Sequence, residues 1–105
     1  MSKDIKEYIL CAAIWYPELK LEKDLSSARP ANCDVGVVFC GHRHHNCIHQ
    51  MVNIYGIYQS KAGRYIQGFL TSKNRFVDRK EAYEIHIANG NKAEFVNSLF
   101  SEDLY

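Results

Sequence analysis

The sequence predicts an α+β domain: a mostly antiparallel sheet, in the chain order β-β-α-β-β-α, with two helices packed on it. Three observations lead there. Two apolar, strand-like runs precede a stretch with helical periodicity. A second pair of strand-like runs flanks an asparagine turn. A second helix start follows that pair directly. At 105 residues, 47% of them hydrophobic, the chain has room for one core, so residues 1–105 are read as a single domain.

The first strand is Glu7 to Tyr16 (EYILCAAIWY). Its alternation is weak, which marks a central strand buried on both faces, and Pro17 stops it. Glu18 to Asp34 is polar and reads as a long loop. Val35 to Cys40 (VGVVFC) is the second strand, and Gly41 breaks it. From His42 the period changes: His44, Cys47, Ile48, Met51, Val52 and Tyr55 share one face of a helix that ends near Gly56. Ile57 to Arg64 is a polar connection. Gln67 to Ser72 and Arg75 to Val77 form a hairpin around Lys73-Asn74, since Asn tolerates the positive φ that such a turn needs. Asp78 caps the second helix, with Glu81 completing a capping-box pair, and Asn89-Gly90 ends it. Lys92 to Asn97 adds a short turn. The acidic-aromatic ending, Leu99 to Tyr105, is expected to fray. The order of strands in the sheet is not readable.

Net charge is +1, from 13 basic and 12 acidic residues, which argues against a binder of bulk nucleic acid. No apolar run approaches the ~20 residues of a membrane span. Met1 to Glu7 lacks the basic-then-apolar plan of a signal peptide, so a cytoplasmic setting is expected. There the four cysteines, Cys11, Cys33, Cys40 and Cys47, would be reduced thiols.

Four of the five histidines crowd into eight residues: His42, His44, His45 and His49. On a helical wheel His42, His45 and His49 fall within about 60° and make one strip, while His44 falls on the apolar face, where a hydrogen-bonded core histidine is the plain alternative to a catalytic one. Three chemistries fit this stretch. Gly41 permits a sharp turn into a helix start, whose unpaired N–H groups attract anions, and Arg43 adds a fixed charge suited to phosphate. Two histidines of near-neutral pKa can also shuttle protons in metal-free phosphodiester cleavage. Metal binding is the third, because His45 and His49 at i, i+4 can chelate. Yet the spacing is no zinc-finger pattern and there is no second ligand pair, so no metal or other cofactor is expected. Against all three stands a polar, histidine-rich helix flank with no ligand.

The assignment is therefore His44 and His45 as an acid–base pair, with Gly41, His42 and Arg43 holding phosphate. Lys73 and Arg75 join them if both strand-to-helix junctions lie at one sheet edge, with Arg79 and Lys80 flanking. Trp15 could stack on a base, or be core. His86 is read as core. Glu102 or Asp103 could orient a histidine if the ending is ordered.

Tyr8 to Tyr16, Gly41 to His45, the segment QGFLTSKNRFVDRKEA from Gln67 to Ala82, and the ending LFSEDLY together resemble a family of small proteins of tailed bacteriophages and prophages. By analogy with other small phage proteins, the resemblance implies a role in evading host defence. The expected function is binding, and metal-independent cleavage, of a cyclic-dinucleotide or ADP-ribose-type immune signal. A non-catalytic nucleotide sponge is the alternative, as is a protein–protein inhibitor working through the acidic-aromatic ending. A small nucleotide is then the expected partner, and a homodimer would help so short a chain enclose it.

Overall fold

A computed structural model describes residues 6–19, 29–55 and 63–104. Strand β1 (Ile9–Tyr16) is central. It pairs antiparallel with β2 (Val37–Gly41) on one side and with β3 (Ile66–Thr71) on the other. Strand β4 (Phe76–Asp78) pairs antiparallel with β3, giving the sheet order β2-β1-β3-β4. The continuous apolar character of β1 follows from this position. Ala12, Ile14 and Tyr16 are buried on one face of the sheet and Ala13 on the other.

Helices α1 (His44–Tyr55) and α2 (Arg79–Ala88) lie on the same face. Cys47 and Met51, one helical turn apart, carry α1 onto Ile14 and Phe39, while Ala82 brings α2 toward Phe69 and Val77. The opposite face is thinner. Ala13, Cys33 and Phe76 are buried there, with Trp15, Val38, Cys40, Ile66 and Leu70 half-covered around them.

Several element boundaries differ from the sequence expectation for local reasons. Strand β2 begins at Val37 because Gly36 turns the chain with φ 75°. Gly41 is the last residue of β2 rather than its break; a Cβ there would sit 3.0 Å from Asn46 Cβ, so the glycine lets the helix start close against the strand. Helix α1 begins at His44, which leaves His42 and Arg43 in the connection. The hairpin turn is as expected, with Asn74 at φ 58°. Asp78 caps α2 by accepting the Glu81 N–H at 2.8 Å, but only half of the capping box forms, because the Glu81 carboxylate is drawn to Arg75 at 2.9 Å. Gly90 closes the helix at φ 83°.

The ending is not frayed. Leu99 is fully buried, its N–H donates to the Arg79 carbonyl at 3.0 Å, and Ser101–Asp103 forms a 3₁₀ turn. Asp103 accepts the N–H groups of Phe100 (2.9 Å) and Glu94 (3.1 Å), so its carboxylate braces the ending rather than a histidine. Of the long loop, residues 29–34 run beside β4: Asn32 donates to the Phe76 carbonyl and accepts its N–H, both at 2.7 Å. The rest of that loop from residue 20, and residues 56–62 after α1, lie outside the described residues. No helix among the described residues is long and apolar enough to cross a membrane.

Candidate functional site

Each helix follows a strand directly, and each junction carries an arginine: Arg43 before α1 and Arg79 at the start of α2. The two junctions follow opposite edge strands, β2 and β4, rather than sharing one sheet edge, and the His44 side chain links them across the helix-covered face, bonded to β3 and facing Arg79. His44 Nε2 donates to the Gly68 carbonyl at 2.8 Å; a carbonyl only accepts, so Nε2 carries the proton. Nδ1 is then the acceptor, and Arg79 Nη2 faces it at 3.4 Å. The ring also packs edge-on against Phe69. Burial pushes the His44 imidazole below its ordinary pKa and the Arg79 charge adds to the push, against the opposing pull of the Gly68 carbonyl. The result is a neutral, buried, fully partnered histidine.

Arg79 is held differently. Its guanidinium lies over the Phe100 ring, 4.7 Å from the centroid. Its Nε is buried and has no hydrogen-bond partner. Among the described residues no carboxylate forms an ion pair with it; Glu102 acts only through its more distant charge. Burial accordingly lowers its pKa. Arg43 reaches the same corner from the other junction, where Nη1 donates to the Ser101 carbonyl. Beyond Arg79 opens a broad depression of about 680 Å³, lined by Tyr65, Gln67, Asp78, Arg79, Lys80 and Asn97. It is shallow and widely open to solvent.

The other sequence-assigned residues are dispersed. His45 is exposed on the outer side of α1, where its ring meets His49 with centroids 5.7 Å apart. His44 and His45 therefore face different surroundings. His42 is exposed in the connection before the helix. Lys73 and Arg75 sit at the β3–β4 turn. There Arg75 is gripped by Glu7 (2.8 and 2.9 Å) and Glu81 (2.9 Å), which places it in a structural clamp. Trp15 lies on the opposite face of the sheet, its indole N–H donating to the Val35 carbonyl at 2.9 Å and its ring tilted against Phe76. His86 is buried, with Nε2 donating to the Lys92 carbonyl at 3.2 Å. Among the described residues no group of three or more His, Cys, Asp or Glu side chains is placed to hold a metal ion.

A family model described as Phage T4 y16D protein matches residues 8–105. The chain belongs to that family. It is thus a bacteriophage-type protein, as the resemblance in its motifs implied. No curated protein and no solved structure matches the chain. Within this member of the phage family, the residue that sequence reasoning left at the margin is Arg79. A signal for it was present: both helix starts, GHRHH and VDRKE, place an arginine at the strand-to-helix junction. Tyr65, Gln67 and Asn97 had no such signal, since only the fold gathers them beside Arg79.

Proposed function

We propose that this phage protein holds a phosphate-bearing nucleotide in the depression at the start of α2, and that it sequesters the ligand rather than cutting it. The observation carrying this reading is Arg79. A half-buried guanidinium with an unsatisfied Nε and no ion-paired carboxylate is an uncompensated cation, and it lines an open depression. A phosphate there would supply the missing negative charge. Lys80 adds a second cation at the same rim, and Tyr65 and Gln67 offer an aromatic face and an amide to a base. Asp78 stands on the rim, but its carboxylate is engaged on the Glu81 N–H.

Sequestration is favoured over cleavage by His44 and His45. The first has both ring nitrogens occupied and is buried away from any substrate, while the second is exposed on a different side of α1. In a bacteriophage protein, tight retention of a cyclic-dinucleotide or ADP-ribose-type signal would blunt a host defence that depends on that signal.

Calorimetric titration with cyclic dinucleotides and ADP-ribose, followed by mass spectrometry of the recovered ligand in EDTA, tests this. Retention of intact ligand, weakened at least about tenfold by Arg79→Met and unchanged by His45→Ala, is the expected result. Absence of binding for every probe overturns the reading. Recovery of a cleaved product overturns sequestration.

A further inference from the structure

The nucleotide reading leaves the outer side of α1 unused. His45 and His49 stand there, one helical turn apart and both exposed. Their ring centroids are 5.7 Å apart and the ring planes are inclined by 69°. They differ from the other two helical histidines. His44 and His86 are buried, and each gives its Nε2 proton to a backbone carbonyl, of Gly68 and of Lys92. Among the described residues neither His45 nor His49 has a hydrogen bond or an ion pair, and the two rings meet each other. A neutral imidazole so placed keeps one nitrogen lone pair open to an incoming ion.

We propose that His45 and His49 form a bidentate surface site for a divalent transition-metal ion of the nickel, copper and zinc group, with water completing the coordination. The spacing of the rings carries this. Metal–imidazole bonds are about 2.0–2.1 Å long, so two rings on one ion have centroids about 4.5 Å apart in an octahedral site and about 5.2 Å apart in a tetrahedral one. The observed 5.7 Å exceeds the tetrahedral spacing by only about 0.5 Å. Rotation of two exposed side chains about their own torsions closes that gap without moving the helix backbone. Imidazole nitrogen suits these ions, whereas Mg²⁺ and Ca²⁺ favour oxygen shells.

The spacing of ligands along the sequence argues against a closed, structural zinc site. A pair suffices for an open one. Among the described residues no group of three or more His, Cys, Asp or Glu side chains is placed to hold a metal, so the protein's share here is two ligands. His42 precedes the first residue of α1 and lies outside the helical geometry that aligns His45 with His49. The pair also stands apart from Arg79, which meets the buried His44. The metal site therefore does not rest on the nucleotide reading.

The test titrates the full, reduced chain with Mn²⁺, Co²⁺, Ni²⁺ and Mg²⁺ by calorimetry. One Ni²⁺ per chain is expected, with affinity rising from Mn²⁺ through Co²⁺ to Ni²⁺ and no measurable heat with Mg²⁺. Paramagnetic Ni²⁺ should broaden the ring proton resonances of His45 and His49 before those of His44 and His86. His45→Ala and His49→Ala should each weaken Ni²⁺ at least about tenfold, because a single imidazole forms no chelate. His42→Ala should change the affinity less than about twofold. Alanine is a good helix former, and far-UV circular dichroism checks that each variant is folded. Undiminished Ni²⁺ affinity in the double variant His45→Ala/His49→Ala overturns the proposal, since the ion then sits elsewhere, on the thiols. A loss in His42→Ala equal to that in His45→Ala overturns the two-ligand assignment. Absence of Ni²⁺ binding up to about 1 mM overturns the site outright.

Discussion

Replacing Arg79 with methionine should make the protein more stable while removing its ligand affinity. The opposed signs follow from how the guanidinium is held. Methionine keeps much of the side-chain length against Phe100 and discards the charge. Relief of the unpartnered, buried Nε is worth about 1–3 kcal/mol. A cation in the first turn of α2 also opposes the helix dipole, and its removal returns about 0.3–1 kcal/mol. Against this stand the guanidinium–Phe100 contact, about 1 kcal/mol, and the 3.4 Å approach to His44, which at that length contributes under about 0.5 kcal/mol. The sum favours the variant by about 1 kcal/mol, or a rise in Tm of about 4–8 °C for a domain of this size. Urea unfolding followed by Trp15 fluorescence, with a parallel thermal melt, measures it. A loss of about 2 kcal/mol or more would show that Arg79 is a structural clamp and sink the argument that its charge awaits a ligand. A gain in stability with undiminished nucleotide binding would relocate the site.

Other consequences are independent of the ligand. Gly68→Ala places a Cβ into the Val77 carbonyl oxygen and 2.8 Å from Phe76 Cζ, which β4 can relieve only by shifting; a Tm loss of about 10 °C or more is expected in the thermal melt. The Arg75 guanidinium holds the Glu7 carboxyl below its usual value, so Glu7 contributes stability above pH ~4.5 that is lost as pH falls through its lower native value. Glu7→Gln should therefore cost about 1 kcal/mol at pH 7, with the difference from wild type shrinking toward pH 3 in urea titrations. Leu99→Ala should cost about 3 kcal/mol by the same method, since that side chain is fully buried; a loss below about 1 kcal/mol would return the ending to a detachable arm.

How much of this could be read beforehand depends on the range of the interactions involved. Both helices, both hairpin strands, the Asn74 turn and the Asp78 cap rest on contacts within a few residues, and their signals survive in the linear order. The expected pair of His44 and His45 did not come together, because adjacent residues on a helix point about 100° apart and only one of them found the core. The ending looked like a polar tail because its composition is acidic. Its anchoring depends on Leu99 and on the Arg79 carbonyl, which is twenty residues earlier in the chain.

The sequence by itself determined the α+β class, the element order and the crowding of cations and histidines at the helix starts. Periodicity, turn chemistry and capping are local, so one chain suffices to show them. Only the tertiary structure decided that β1 lies between β2 and β3, that His44 links the Arg43 and Arg79 junctions, that Arg75 is tied to Glu7 and Glu81, and that Trp15 lies on the opposite face. Strand order and the pairing of distant charges are set by which apolar faces can be buried together. That is a property of the whole packed core, and no stretch of the chain carries it alone.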